Sequence, residues 1–599
     1  MPQENLFSSF KEYSLDDWKS FIINDLKGRK YESLISQTPE GISIDPVYHG
    51  YPKEIKNFFN PAQLRNEALP ARNWVNNCTI AVTQEKEANL AALEALNNGA
   101  DGLIFEISGP VDLELLLNDI QLIYCTISFK TKEANFKLIS EYVDYLNSKQ
   151  YDLELIAGNY FFDALEMRDA GVYQLENSII DDIVRCIELT KPIPHFKCLY
   201  ISGLLYHNSG ANNLNEVSLL LSKSAEYFDK LTEAGLAIEA IANSLVFGIA
   251  FGSNFFLEIA KAKVLRINIQ KLFQAYSLTN DISNLKLVGF TSDRTKSALD
   301  FNVNLLRNTT EAMSAILSGC NELFVAPHDN ALVAESRGTF KRIALNISNL
   351  LKEEVHLDKV VDPTMGSYYL EALIANLEEK SWDTFLMLEQ KGSYSSLFNE
   401  EYVKEIIKHD DQQSANAVMS RKNVFIGANM FQNIGEKLYL HQTSEKDDLF
   451  LHPRRVGWKL ENIRARTEHF VNKHGENARP TATMVIFGTD PVSKAKADFA
   501  YSFLGMAGIK IAKEIILNDL HEMRSTLKGV DSTLLIYCFN ETPDFQQTHF
   551  KHGDAKIIIA GQAVKEEDWK QQGLYAFINR KVDTYSFLQN LLNDIKIEA

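Results

Sequence analysis

The chain has 599 residues, more than one hydrophobic core usually holds, so its length predicts at least two domains. An apolar fraction of 45% and a charged fraction of 23% are ordinary for a globular protein. The 61 basic and 79 acidic residues give a net charge of −18, which argues against nucleic acid or an anionic membrane as a partner.

The six cysteines are scattered and form no CxxC pair, so the sequence predicts neither a disulfide framework nor a zinc site. The opening stretch MPQENLFSSFKEYS lacks the basic and apolar regions of a signal peptide. The most apolar stretch, residues 244–256, contains glycines and is too short to span a bilayer. We therefore expect a cytoplasmic protein with reduced thiols and no membrane partner.

The first predicted element is a helix over residues 14–28, within an N-terminal arm that we assign to residues 1–72. Ser14 is its expected N-cap with Asp17 as the capping-box partner, and Gly28 is expected to end it. The arm contacts either a partner protein or its own barrel. Its aromatic positions, too many for a solvated tail, are Phe7, Phe10, Tyr13, Trp18 and Phe21.

From residue 73, short apolar runs alternate with stretches of helical periodicity such as Asn215–Leu231. The runs are apolar on both faces, as in a parallel sheet covered by helices. Eight such strands predict an N-terminal (β/α)₈ TIM barrel over residues 73–390, with an open doubly wound sheet as the alternative. The predicted strands are Cys78–Val82, Gly102–Ile107, Leu122–Ser128, Leu153–Ala157, Cys198–Ser202, Ser244–Ala250, Leu285–Phe290 and Leu323–Ala326.

Residues 391–480 are charged and break this alternation, which predicts a partly helical linker. A second alternation of five strands and five helices begins at Thr481. It predicts a flavodoxin-like, or Rossmann-like, domain over residues 481–599.

Ligands of a βα barrel bind at the carboxyl ends of its strands, where we expect Glu106, His207 and Pro327–Asp329. These residues form no recognisable catalytic constellation, and the sequence has no HExxH, GxSxG, P-loop or GxGxxG motif. His207 either contacts a ligand at the barrel mouth or hydrogen-bonds its own loop. Gly366 and Ser367 begin a long amphipathic helix, whose N-terminus either holds an anion or is simply capped.

The stretch VVDPTMGSYYLEAL closely resembles the DPAGGSYYVEALT-type signature of the methylmalonyl-CoA mutase family. FKRIALNISNLLKEE is similar to the family's RIARNTQLLLQEE helix, and ISGLLYHNSGA is similar to its ISGYHMQEAGA segment. WKSFIINDLKG and TPEGISIDPVY resemble the family's opening. The resemblance covers nearly the whole chain. It implies a barrel threaded by coenzyme A, followed by a flavodoxin-like domain of the cobalamin-binding type.

Catalytic members of the family bind cobalamin through a DxHxxG motif, whose histidine is the lower axial cobalt ligand and whose aspartate orients that histidine. In the equivalent stretch GTDPVSKAKADF, Asp490 matches, but Val492 and Ala495 stand at the histidine and glycine positions. Residues 538–540 and 560–562 replace a serine-containing turn and a Gly-Gly pair that clear space for the cofactor's nucleotide tail. The resemblance therefore implies a degenerate site, with no cofactor and no metal in this chain.

The barrel sequence also lacks residues and segments that catalytic members of the family use. Leu205 aligns with the family's catalytic histidine, with His207 offset by two positions. The substrate-covering RGPYPTMY arm has no counterpart between Tyr51 and Trp74, and FEISGPVDLELL replaces an FDL-T-GYDSD stretch. We therefore assign no catalytic residue.

These departures match the small, non-catalytic subunits of heterodimeric bacterial mutases. The implied partner is a large catalytic subunit that carries adenosylcobalamin and interconverts methylmalonyl-CoA and succinyl-CoA. Two alternatives stay open: an active mutase with atypical cobalamin binding, and a non-catalytic barrel that binds acyl-CoA.

Overall fold

The computed structural model describes residues 11, 13–49, 73–174, 176–278, 285–332, 338–436, 450–518, 520–530, 532–541, 552–562 and 566–597. Phe7 and Phe10 of the predicted arm lie outside the described residues. The helices are α1 Leu15–Asp25, α2 Glu85–Asn97, α3 Leu113–Leu116, α4 Phe136–Ser148, α5 Ala164–Asp169, α6 Asn177–Thr190, α7 Leu204–Ser209, α8 Asn213–Glu233, α9 Ile238–Ser244, α10 Phe255–Ala275, α11 Val303–Ser318, α12 Gly338–Glu353, α13 Tyr368–Lys391, α14 Tyr394–Asn399, α15 Tyr402–Met419, α16 Trp458–His474, α17 Pro491–Gly505, α18 Leu520–Thr526, α19 Glu566–Gln571 and α20 Thr584–Asp594. The strands are β1 Ser36–Gln37, β2 Ser43–Ile44, β3 Val75–Val82, β4 Gly102–Ile107, β5 Thr126–Lys130, β6 Ala157–Phe161, β7 His195–Lys197, β8 Leu199–Ser202, β9 Leu245–Phe251, β10 Lys286–Thr291, β11 Glu322–Phe324, β12 Thr481–Phe487, β13 Lys510–Leu517, β14 Leu534–Cys538, β15 Lys556–Ala560 and β16 Leu574–Ile578.

Nine parallel strand segments form a nearly closed barrel in the order β7-β6-β5-β4-β3-β11-β10-β9-β8. β7 and β8 are two pieces of one stretch of chain separated by Cys198; β7 pairs with β6 and β8 pairs with β9. The barrel thus has eight strand positions, as predicted. The open-sheet alternative is wrong, because this one stretch of chain pairs with both ends of the strand order and so closes the sheet.

Two of the predicted barrel strands are misplaced. Residues 153–155 form a 3-10 turn, because the Asp152 side chain accepts a hydrogen bond from the Glu154 N–H and bends the chain. The strand follows at β6 instead. In the predicted strand 122–128, the Tyr124 N–H closes a turn onto the Gln121 carbonyl, so β5 begins only at Thr126.

The barrel helices cover the outward faces of the strands. Helix α8 contains the predicted stretch 215–231, and its side chains are buried over most of its length. They join the large apolar cluster between the strands and the helices. Burying one such leucine or phenylalanine contributes about 1.5–3 kcal/mol, so this layer supplies most of the barrel's stability.

Residues 481–597 contain a second parallel sheet in the order β13-β12-β14-β15-β16, which is the flavodoxin-like order. All five predicted strands are present. One apolar cluster beneath the sheet contains side chains of α17 and α20, and a second, on the opposite face, contains side chains of α18 and α19. The helix expected between β14 and β15 falls largely on residues outside the described part of the chain.

The predicted linker contains α14, α15 and α16, and it is packed against both neighbouring regions. Arg294, at the barrel mouth, donates to Asp411 of α15 at 2.6 Å. Arg466 of α16 donates to Gln589 at 2.9 Å and to Asn593 at 2.7 Å on α20. The linker therefore holds the last helix of the chain in place rather than merely connecting two domains.

The N-terminal arm begins with the predicted helix. Ser14 Oγ accepts from the Asp17 N–H at 3.1 Å, and Asp17 accepts from the Ser14 N–H at 2.9 Å, so the predicted capping box is present. The helix ends at Asp25, three residues before the predicted Gly28. None of the α1 side chains is buried against the rest of the described chain. Among the described residues, no helix combines the length and the apolar character needed to cross a lipid bilayer.

The buried ion pair between Lys223 and Asp163 offers a test of the barrel's packing, because both side chains are 0% exposed and lie 2.8 Å apart. Lys223→Met leaves the Asp163 carboxylate buried without its counter-ion, so we expect a loss of about 3–5 kcal/mol in unfolding free energy. Urea unfolding followed by circular dichroism measures this loss. Lys230→Met, on the exposed end of the same helix, is the control and should cost less than about 1 kcal/mol. Equal midpoints for the two variants would contradict the importance of the pair.

Candidate functional site

The amino-terminal layer of the barrel interior is polar. Glu322 accepts from the Lys286 ammonium at 2.6 Å, from the Asn77 amide at 2.8 Å and from the Asn159 amide at 2.9 Å. Burial opposes ionisation of Glu322, but the Lys286 charge and the two amides together hold its pKa below the usual value. This layer closes the bottom of the barrel with side chains that all bind the Glu322 carboxylate.

The middle layer of the barrel interior is apolar and forms a cluster separate from the one beneath the helices. The Phe161 and Tyr200 rings meet edge to face with centroids 4.9 Å apart. Gly248 makes room for this arrangement, since a Cβ there would lie 2.0 Å from Tyr200 Oη. The barrel axis is therefore filled by buried side chains, which are Ile104, Phe161, Tyr200, Val246 and Val288.

Glu106, expected at the carboxyl end of its strand, is the second-last residue of β4 and lies at the barrel mouth. Its carboxylate pairs with the Lys130 ammonium at 2.7 Å, and both side chains are largely exposed. An exposed pair of this kind contributes little to stability. The Lys130–Glu106 pair gives both of these charges a partner at the barrel mouth.

His207 lies on α7 and is buried, so its place differs from that of a residue exposed at an open mouth. Its Nδ1 lies 3.3 Å from Glu216 and its Nε2 lies 2.8 Å from Ser292 Oγ. Glu216 also accepts from the Lys261 ammonium at 2.8 Å. Both ring nitrogens are thus engaged with the protein's own side chains. Leu205, which the resemblance aligns with the family's catalytic histidine, is buried and has an aliphatic side chain that transfers no proton.

A second buried network follows β6 and was not predicted from the sequence. Asp163 accepts from Lys223 at 2.8 Å and from the Tyr227 hydroxyl at 2.7 Å, and Ser202 Oγ donates to Glu166 at 2.7 Å. Burial raises the pKa of Glu166, and the Asp163 charge raises it further. The available signal was a lysine at position 223, inside the apolar stripe of α8. These side chains hydrogen-bond one another. None of them is therefore an accessible nucleophile.

The remaining barrel candidates also have structural contacts. His328, within the predicted group 327–329, stacks on Phe301 at 5.8 Å and meets Phe340 edge to face at 4.6 Å, and burial lowers its pKa. Ser367 is the N-cap of α13 and accepts from the Leu370 N–H. The helix start at this position is therefore capped by the chain itself.

A cavity of about 300 Å³ lies between β3, α2 and α12. Its lining includes the Cys78 thiol, the Ala91 methyl group and the Arg342 side chain. Burial raises the pKa of Cys78 to about 11, so the thiol is protonated at neutral pH and is a poor nucleophile. The cavity therefore offers space without an activated group.

In the second domain, the predicted degenerate motif lies at the start of α17. Asp490 Oδ1 accepts from the Val492 N–H at 2.9 Å and from the Ser493 N–H at 3.0 Å, and these bonds hold its pKa below the usual value. Val492 is half exposed and has no atom that binds cobalt, and Ala495 is exposed beside it. Across the described ranges, no three His, Cys, Asp or Glu side chains lie close enough to hold a metal ion. The residues at this position do not fit a cobalamin held by a protein histidine.

Comparison with known proteins places these features in a family. The family model described as methylmalonyl-CoA mutase matches residues 99–469, more than half of the chain. A methylmalonyl-CoA mutase small subunit from Porphyromonas gingivalis is 28% identical over 98% of both chains. The small subunit from Propionibacterium freudenreichii subsp. shermanii is 25% identical, over 67% of this chain and 64% of the relative.

A methylmalonyl-CoA mutase from Rhizobium meliloti is 27% identical, over 70% of this chain and 64% of that protein. The family match spans most of the barrel and the linker, whose strand order and filled interior are described above. The chain belongs to the methylmalonyl-CoA mutase family.

Proposed function

We propose that this chain is the small, non-catalytic subunit of a heterodimeric methylmalonyl-CoA mutase. Its partner is the large subunit, which carries adenosylcobalamin and interconverts methylmalonyl-CoA and succinyl-CoA. The observation that carries the proposal is the filled barrel axis. Catalytic members of the family thread coenzyme A along this axis, where Phe161 and Tyr200 pack against each other here.

The barrel mouth supports the same proposal. A catalytic histidine needs an open approach and a free ring nitrogen. His207 is buried with both nitrogens engaged, and Leu205 replaces the histidine expected at the catalytic position. The filled axis also argues against the acyl-CoA-binding alternative, because five buried side chains occupy the middle layer of the barrel interior.

A partner contact is supported by the arm. Phe21 is 61% exposed and Tyr13 is 57% exposed, and their rings meet each other at 6.1 Å instead of a core. Aromatic side chains of this kind are enriched in protein interfaces. The names of two similar small subunits support a large-subunit partner. We place the complex in the cytoplasm, which agrees with six cysteines that form no disulfide.

The first prediction concerns the cofactor. Because Val492 offers no cobalt ligand, the purified full-length chain should bind no stoichiometric cobalamin. Cobalt analysis and visible absorption with added adenosylcobalamin measure this, with a catalytic family member as the positive control. One equivalent of cobalamin bound to this chain alone would favour the atypical active mutase instead.

The second prediction concerns His207. His207→Ala should leave turnover of the reconstituted complex close to that of the wild type, because this ring serves the packing of its own barrel. Loss of the bond to the buried Ser292 hydroxyl should cost about 1–3 kcal/mol of unfolding free energy. Turnover and urea midpoints are measured on the same preparation. A fall in turnover of about a hundredfold with the complex intact would mean that this barrel takes part in the chemistry.

The third prediction concerns the partner. Deleting residues 1–30 should abolish co-purification of the large subunit and leave the helical circular dichroism of this chain largely unchanged. Phe21→Ser is the sharper variant, because an exposed ring adds little to the chain's own stability. Asn24→Ser, also exposed on α1, is the matched control and should pair normally. Normal pairing of the truncated chain would exclude the arm as the contact, and unfolding would assign it to this chain's own core.

A further inference from the structure

The order of strands in the second domain reverses between β12 and β14, with β13 on one side and β15 on the other. In an open parallel sheet, this reversal leaves a crevice beyond the carboxyl ends of the two strands, and ligands bind there. We call this place the switch-point crevice and define it by Phe487–Asp490, which end and follow β12, and by Phe539–Asn540, which follow β14. The described residues around it are joined to one another by three sets of contacts.

The first set belongs to the first turn of α17. The amino end of a helix attracts anions through its free N–H groups. Here Asp490 accepts from the Val492 and Ser493 N–H groups, and Ser493 Oγ donates to the Phe487 carbonyl at 2.7 Å. Ser493 is completely buried. The turn is therefore tied down onto the last residue of β12.

The second set crosses the crevice. The Lys496 ammonium, on the next turn of α17, donates to the Phe539 carbonyl at 2.7 Å and to the Asn540 carbonyl at 3.0 Å. These carbonyls directly follow β14. Hydrogen bonds from a charged donor are stronger than those between neutral groups. Lys496 thus fastens the helix after one strand to the loop after its neighbour.

The third set fills the ends of the two strands with aromatic rings. Phe487 and Phe539 stack with centroids 4.2 Å apart, and Tyr537 meets both at 6.0 Å. The three side chains are at most 8% exposed and belong to one apolar cluster. These rings lie on the face of the sheet opposite α17, so they close the other side of the two strand ends.

We propose that the switch-point crevice is a closed structural joint fastened by Lys496, and that a histidine restored at position 492 does not restore cobalamin binding. The proposal rests on the proposed function, in which the wild-type chain binds no cobalamin. It goes further because it assigns the loss to closure of the whole crevice rather than to one missing ligand. Asp490, which matches the family motif, has become part of this closure.

The test uses the full-length Val492→His variant titrated with adenosylcobalamin and followed by visible absorption. Val492 is 48% exposed, so the substitution should fold normally. We expect no spectral change and no binding, as in the wild type. One-to-one binding with the spectrum of a histidine-ligated cobalamin would overturn the proposal. Binding by the wild type would instead overturn the proposed function, so the two failures are distinguishable.

A second measurement tests the fastening itself. Lys496→Met should speed hydrogen exchange of the amides at residues 539–541 by about tenfold, the equivalent of one lost hydrogen bond. Lys494→Met is the matched control, since this lysine is exposed on the same helix, and exchange there should stay within about twofold of the wild type. Equal exchange rates in the two variants would contradict the role of Lys496.

Discussion

The structure depends on closing a parallel barrel around side chains that pack on and bind one another along its axis. Glu322 gathers Lys286 and two amides at one level, and Phe161 packs on Tyr200 at the next. Parallel strands are stable only when both faces are covered. Helices cover the outer face, so the inner face needs a filling of its own. A barrel that holds a substrate along its axis gives up that filling, and this barrel keeps it.

The charged groups at the mouth follow the same rule. An isolated charge in a dry interior costs several kcal/mol, so buried charges are kept in pairs or triads. Lys223 with Asp163, and Lys261 with Glu216, are such pairs, and His207 joins the second. Both lysines are thus engaged within the chain by buried carboxylates.

The second domain retains the sheet order of a nucleotide-binding fold while its crevice is occupied by its own residues. Aromatic stacking, one lysine and one helix cap join the residues at these strand ends to one another. Both domains thus have interiors and strand ends packed by the chain's own side chains. In the proposed role of a small subunit, the exposed aromatic side chains of α1 belong to the surface that would contact the partner.

The sequence by itself determined those features that depend on residues close together in the chain. Alternation of apolar runs with helical periodicity predicted the barrel and the flavodoxin-like sheet, because both patterns repeat within a few residues. Ser14 with Asp17 predicted a helix start through a contact of three residues. The wrong strand at 153–157 shows the limit, since the Asp152 side chain bends a run whose composition suits a strand.

The tertiary structure decided whether the sites are open. Phe161 and Tyr200 meet inside the barrel from two neighbouring strands, 39 positions apart, and His207 reaches Ser292, 85 positions away. Lys496 finds its carbonyl acceptors more than forty residues further on. No periodicity encodes such contacts, because they depend on how strands and helices are placed in space. The missing ligand at Val492 could be read from the sequence, and the closure of the crevice around it only from the fold.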